Sequence, residues 1–518
     1  MTMSEEVVIV GAGISGLAAA KCFREAGFKV MVLEKSGVVG GLWSYSENSY
    51  GVMKFTHINV SKQNYCFSDF PFPDDVPEFP HNCDMAKYIK DYTEYFGIDK
   101  LIRFHTMLKS LERKGDSWRL TIATVNEDGS LGKEEVIDAK YVAIATGHHA
   151  KPSTPKFEGQ DIFKGNITHS VKYKHATTNG IMGKKVIVVG IGNSAVDVAV
   201  NAVEEGRCPK VYLSTRCGAW VAPNYIFGRP VDHYACRVLM KLPWQILNMV
   251  YETVLSLTLG HPNKWKLNPK MKALQTQPTV SPTLVHHIQR GNIAVKSNIK
   301  EFKENSVVFT NGEEVQADDV ILCTGYKIDL PYLEGDVRQH VLDNVTNTIR
   351  LFKNVFSPEI GSSLAFIGFV QPASGGILAM SEIQARWFVE LCRGKIKLPS
   401  KKEMEENIDS ELQEVSKRYF KSARHTIQRD PIPYCDEIAE FFGAKPNILD
   451  HPLLAWKLLF STCGASQWRL QGPEKWEKAS ETISNVPVTG LVHYSVCFTL
   501  FLLGVLLFYL LSMLQDMF

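Results

Sequence analysis

Short apolar runs that end abruptly on glycine punctuate the first two thirds of the chain. Residues 7–10 (VVIV) run into Gly11-x-Gly13-x-x-Gly16, and residues 186–189 (VIVV) run into Gly190-x-Gly192-Asn193-Ser194-Ala195. Four continuous apolar residues bounded by a turn signal predict a strand buried on both faces, as in a parallel sheet. After each glycine cluster the apolar spacing changes to that of a helix. A second strand then follows, at 30–33 in the first case and 211–213 in the second. Two strand–helix–strand units of this kind predict an α/β fold. Two further strands, YVAIATG (141–147) and DVILCTGY (319–326), share a Thr-Gly ending and bracket the second unit. The order predicts two dinucleotide-binding, Rossmann-like domains, one inserted in the other.

The C-terminus has no such alternation. Residues 482–515 contain no Asp, Glu, Lys or Arg, and 496–514 are almost unbroken in apolar character. A helix over 491–514 would be about 36 Å long, enough to cross a hydrocarbon core of about 30 Å. The segment is apolar all round, unlike a surface helix with one buried stripe. A transmembrane anchor is therefore expected at 491–514. No signal peptide precedes the first strand, so the body is expected on the cytosolic side.

The glycine spacing carries chemistry. Gly11 permits a tight turn, Gly13 lets the backbone approach a pyrophosphate, and Gly16 lets helix and strand pack closely. The helix N-terminus favours the phosphate charge. Glu34 follows Gly16 by 18 residues, where a carboxylate holds ribose hydroxyls. Gly40-Gly41-Leu42-Trp43 comes next, as in FAD-binding members of this fold. In the second unit Ala195 replaces the third glycine, which the fingerprint tolerates. Its second strand ends in Ser214-Thr215-Arg216 with no acid. Hydroxyls and a cation there suit a ribose 2′-phosphate, hence NADPH, although Arg216 as an ordinary surface arginine stays open.

Composition narrows the choice little. Net charge is +2 in 518 residues, which gives no sign of a nucleic-acid partner. The eleven cysteines form no CxxC pair and read as reduced core thiols. No metal-ligand cluster and no Ser-His-Asp set stands out.

Between the two units lies FKGNITHSVKY (163–173). The spacing Phe163-x-Gly165-x-x-x-His169-x-x-x-Tyr173 resembles the signature of the flavin-containing monooxygenases, animal type. GGLW, NVSKQNYCFSDFPFPDD (59–75), LCTGY, GFVQ (368–371), QARW, HTIQ, GAKPN and the apolar tail resemble that family in the same order. The resemblance implies FAD at 1–160 and 327–480, and NADPH at 161–218 and 288–326. It leaves 219–287 as a helical insertion that lines a substrate route, dips towards the membrane or simply packs. It implies endoplasmic-reticulum anchoring and an oxygenation in which the reduced flavin forms a hydroperoxide. That species passes one oxygen atom to soft nucleophiles such as amines and thioethers. Homo-oligomerisation stays open.

Residue by residue, the resemblance makes Asn59 the active-site asparagine, flanked at the flavin by Ile58 and Val60. Gln371 falls near the flavin and Asn193 near the nicotinamide half of NADP. Gly11, Ala12, Gly13, Ile14, Ser15, Gly16, Glu34, Gly41, Leu42 and Trp43 would hold FAD. Gly190, Gly192, Asn193, Ser194, Ala195, Val196, Asp197, Thr215 and Arg216 would hold NADPH. His169 and Tyr173 are expected to pack at the domain crossover. Asn59 also opens the sequon Asn59-Val60-Ser61, but glycosylation needs a luminal location. Many relatives carry Arg where this chain has Asn224, so NADPH preference leans on Thr215 and Arg216. Two other readings stand beside this one: Baeyer–Villiger oxygenation of ketones with the same cofactors, and a membrane-tethered NADPH-binding module without turnover.

Overall fold

The computed structural model describes residues 4–47, 50–149, 151–343, 346, 348–420, 426–488, 499 and 502–507. Two sheets organise it. The first has seven strands. Ser4–Val10 pairs in parallel with Val30–Leu33 on one side and Leu131–Ile144 on the other. Leu131–Ile144 continues into an antiparallel meander with Ser117–Val125 and Thr106–Lys114. The last strand to join, Leu364–Phe366, pairs with Leu131–Ile144 from far along the chain.

Alternation along Ser4–Val10 explains why both faces of this sheet are covered. Val7 and Ile9 enter a core with Leu17, Phe23, Trp387 and Phe388, whereas Val8 and Val10 enter one with Trp118, Phe366 and Phe369. The helix after the first glycine cluster, Ile14–Glu25, packs on Ile377–Cys392. Phe23 and Phe388 meet edge to face at 5.1 Å.

The second sheet is all parallel, in the order Ile293–Lys296, Val211–Ser214, Val186–Val189, Asp319–Leu322, Asn166–His169. Val186–Val189 and Asp319–Leu322 are buried at every position, as the apolar runs predict. The chain thus leaves the first sheet after Ile144, builds the second, and returns through Leu364–Phe366.

The stretch 163–173 contributes more than a crossover. Asn166–His169 is the edge strand of the second sheet, paired with Asp319–Leu322. Its weak apolar character hid that role. Tyr173 is fully buried and donates to Asn201 Oδ1 at 2.8 Å. His169 is buried, its Nδ1 accepts from Val171 N–H, and its ring meets Tyr326 edge to face.

Residues 219–287 hold helices Arg237–Met240 and Trp244–Leu259, several two-residue strands, and a small core around Ala222, Ile226, Leu255 and Ala273. The described cysteines are all free. Burial pushes the Cys22 and Cys66 thiols up to about 12, so neither ionises near neutral pH. Among the described residues no helix is long and apolar enough to cross a membrane. The expected span 491–514 lies outside the described residues except for Thr499 and 502–507, which are helical.

Candidate functional site

The two glycine clusters open on one cleft of about 2300 Å³. That exceeds the roughly 300–1,000 Å³ of a single small-molecule site. Each cluster ends a central strand and starts a helix with no side-chain cap, at Gly13 and at Gly192. The first N–H groups of both helices are therefore left for a ligand.

The two turns are built alike. Gly11 has φ +106°, and a Cβ there would lie 2.7 Å from Ala145 O; Gly190 has φ +128°, and its Cβ would lie 2.4 Å from Cys323 O. In both cases the crowding carbonyl belongs to the strand that ends in Thr-Gly. That shared ending marks where a neighbouring strand presses against the phosphate-binding turn. At Gly16 a Cβ would meet Gly11 O at 1.8 Å, so the helix approaches its strand as the third glycine requires.

Glu34 is buried, with Oε2 accepting Ala12 N–H and Oε1 accepting the N–H and hydroxyl of Ser36, all at 2.8 Å. A carboxylate offers about four lone-pair sites, so capacity for ribose hydroxyls remains. In the second site Thr215 Oγ1 accepts Gly218 N–H at 2.9 Å, which leaves its hydroxyl proton free to donate. Arg216 is exposed on the cleft wall, and among the described residues it forms no hydrogen bond or ion pair.

Gly11, Gly13, Ile14, Ser15, Glu34, Gly41, Leu42, Trp43, Asn59, Gly190, Gly192, Asn193, Ser194, Ala195, Thr215, Arg216 and Gln371 line this cleft. The other expected residues lie behind its wall. Ile58, Val60, Val196 and Ala12 are core side chains, and Gly16 serves the helix–strand contact. Asp197 also lies off the cleft, where burial pushes its carboxyl up to about 7. Asn193 is partly committed, since its Oδ1 accepts Val280 N–H at 2.9 Å.

Asn59 faces the cleft, and among the described residues its amide has no hydrogen-bonding partner. Its buried neighbours Ile58 and Val60 fix the backbone on either side. Tyr50 also lines the cleft, and its buried hydroxyl has no partner among the described residues. Unpaired polar atoms on an otherwise satisfied wall are what a polar cofactor requires.

Several cleft residues were not legible in the sequence. Gln277 accepts from Gln371 Nε2 at 2.5 Å, joining the segment after the insertion to the returning chain. His148 and His149 follow the first Thr-Gly turn, and His149 packs on Tyr326. Burial, helped by His148, pushes His149 down to about 3, and burial also lowers His148. Both shifts favour the neutral imidazole at these two positions. Only the pairing of a Thr-Gly turn with two histidines hinted at these rings; nothing marked Gln277.

Comparison with known proteins agrees with this geometry. The model of the flavin-binding monooxygenase-like family matches residues 4–486. Flavin-containing monooxygenase 5 of Homo sapiens is 37% identical over 501 residues, covering 92% of this chain and 91% of that protein. Flavin-containing monooxygenase 3 of Homo sapiens is 35% identical over 505 residues, covering 93% and 91%. Among solved structures, S-allyl-L-cysteine S-oxygenase from Allium sativum superposes with a TM-score of 0.62 at 22% identity, covering 85% of this chain and 88% of that one. Cyclohexanone-bound cyclohexanone monooxygenase gives 0.62 at 17% identity, covering 85% and 98%. At those identities the two structures speak to the fold alone.

Proposed function

The chain belongs to the flavin-binding monooxygenase-like family, and from that premise we infer that it is an FAD- and NADPH-dependent monooxygenase. It inserts one atom of O2 into soft nucleophiles such as amine nitrogen and thioether sulfur. The observation that carries this reading is one cleft with two glycine-turn sites of different polar character. The first offers a carboxylate to an unphosphorylated ribose; the second offers an unpaired cation.

In this reading Glu34 and the turn at Gly11 and Gly13 hold FAD, and Thr215 with Arg216 holds the 2′-phosphate of NADPH. Asn224 does not line the cleft, so it takes no part in that contact. FAD supplies hydride acceptance and oxygen activation. The residues of the chain bind and orient the two dinucleotides, exclude water and direct fixed dipoles at the reacting atoms. Asn59 suits the last task because a neutral amide donates a hydrogen bond without yielding a proton.

The purified holoprotein is expected to carry bound flavin and to consume oxygen with NADPH while oxygenating a sulfide or a tertiary amine. Ketone oxygenation in place of these would favour the Baeyer–Villiger reading. Arg216→Ala should raise KM for NADPH by about one to two decades, the equivalent of a charge-assisted bond of roughly 1.5–3 kcal/mol. KM for NADH should barely change. Equal losses with both nucleotides would make Arg216 structural.

We further propose that the chain is held at the endoplasmic-reticulum membrane with this body on the cytosolic side. The uncharged C-terminal sequence supports that, and so does an exposed apolar surface. Met249 and Leu257 on helix Trp244–Leu259 are 63% and 78% exposed, and Leu449 and Leu453 are 87% and 96% exposed. Arg237 Nη1 donates to Leu458 O at 3.1 Å, so the short helix Arg237–Met240 ahead of the first pair meets the segment that follows the second. Apolar patches of this kind mark interaction sites. Truncation before Thr489 should leave flavin binding intact and release the protein on carbonate extraction. A truncated form that resists extraction as the full chain does would shift the anchor to that surface.

A further inference from the structure

The loop that carries Asn59 is held by a carboxylate from the opposite side of the chain's topology. Asp232 sits in the turn Val231–Tyr234 of the insertion and is 4% exposed. Ser61 N–H donates to both its oxygens at 3.1 Å. Ser61 Oγ and Asn64 Nδ2 each donate to its Oδ2 at 2.6 Å. Bonds to an ionised acceptor are about twice as strong as neutral ones.

Other elements complete the grip. Asn64 Oδ1 accepts from Thr462 Oγ1 at 2.5 Å. A Cβ at Gly464 would lie 2.4 Å from Gln63 O, and one at Gly376 2.2 Å from Asn64 O. His233 Nε2 meets Gln63 Oε1 at 3.2 Å. The loop is thus pressed from the C-terminal side by backbone and drawn to the insertion by Asp232. The turn bearing Asp232 is itself fixed: Val231 N–H donates to Asn224 O at 2.9 Å, and Arg237 pairs with Asp436 at 2.7 Å.

We propose that Asp232 is the positioning residue for Asn59, setting the register of the 59–64 loop against the cleft without touching cofactor or substrate. The proposal rests on the reading of Asn59 given above. Residues 219–287 then do more than flank the cleft: they orient the amide on which oxygenation depends. An error of about 1 Å in such a group costs on the order of a hundredfold in rate. Hydride transfer does not use Asn59 and should not feel the loss.

The test uses the full-length holoprotein. Asp232→Asn keeps the shape but turns one acceptor into a donor facing Ser61 and Asn64. Ser61→Ala removes one bond and leaves the carboxylate. In both, hydrogen–deuterium exchange of the peptide spanning 58–64 should rise. Anaerobic reduction by NADPH should be unchanged, and oxygenated product should fall by about 10–100-fold, with the electrons of the consumed NADPH recovered in hydrogen peroxide formed from O2. In an Asn59→Asp background Asp232→Asn should add nothing, because both act through one group. Unchanged exchange, a parallel fall in reduction rate, or additive losses in the double variant would overturn the proposal. Should Asn59→Asp alone leave product formation intact, the reading of Asn59 falls and this proposal with it. Should Asn59→Asp be severe and Asp232→Asn silent, only the positioning role falls.

Discussion

Arg469→Met is expected to destabilise the folded chain by about 3–5 kcal/mol, more than any single packing change at the surface. Arg469 is 2% exposed. Its guanidinium donates to Asp69 at 2.6 Å, to Glu382 at 3.3 Å and to Ser68 Oγ at 2.7 Å. Glu382 also accepts Ser68 N–H at 2.8 Å. Lys21, buried in the helix that starts at the first glycine turn, pairs with Asp69 and, at 3.0 Å, with Glu25. Two buried cations thus answer the buried Glu382 and the half-buried Asp69. Removing one leaves an uncompensated charge in a medium that solvates it poorly.

The position of the cluster makes the loss global. It ties together the dinucleotide-binding helix, the loop at 68–69, helix Ile377–Cys392 and the C-terminal segment. Thermal unfolding of the holoprotein, followed by flavin release, measures the effect. Arg469→Lys should be milder, since it keeps the charge and loses the fork. Glu382→Gln in the Arg469→Met background should recover part of the loss, because it removes the stranded charge. An Arg469→Met protein that melts with the native one would mean the cluster is not coupled to stability.

This cluster also shows why some motifs were easier to notice than to explain. FSDFP and QARW carry no recognisable chemistry in the sequence. In the structure Ser68 and Asp69 belong to the ion cluster, while Arg386 donates to Trp468 O and Pro473 O. Trp387 stacks on Phe441 at 4.9 Å. The first motif joins segments 314 to 401 residues away, and the second joins segments 82 and 87 residues away.

Gly16 and Glu34 were legible because their partners, Gly11 O and Ala12 N–H, are local and lie within some thirty residues of sequence. Asp232 and Ser61 are separated by 171 residues, and Gln277 and Gln371 by 94. No periodicity or spacing rule reaches that far. The edge strand Asn166–His169 was hidden for a different reason. An edge strand is buried less completely, so its residues lack the unbroken apolar run that exposes a central strand.

Asn59→Asp tests the chemical core of the reading. Asn59 presents a neutral amide on the cleft wall, with no partner among the described residues. Its neighbours Ile58 and Val60 are 2% and 8% exposed, and Ile58 N–H is bound to Pro80 O at 3.0 Å. The backbone is therefore held whichever side chain occupies position 59. Aspartate has nearly the same shape but at neutral pH only accepts hydrogen bonds, and it brings a negative charge. Flavin content and the rate of anaerobic reduction by NADPH should stay close to native, because neither needs a donor at this point. Oxygenated product should fall by about 10²–10³-fold, the usual loss on removing one preorganised donor. Oxygen consumption should continue, with hydrogen peroxide taking the place of product. Rapid-mixing experiments separate the two half-reactions. Lowering the pH should restore some product as the carboxyl regains its proton and can donate again. If product formation in the variant matches the native protein, Asn59 has no part in oxygenation, and the protecting dipole must be sought among Tyr50, Gln277 and Gln371 on the same wall.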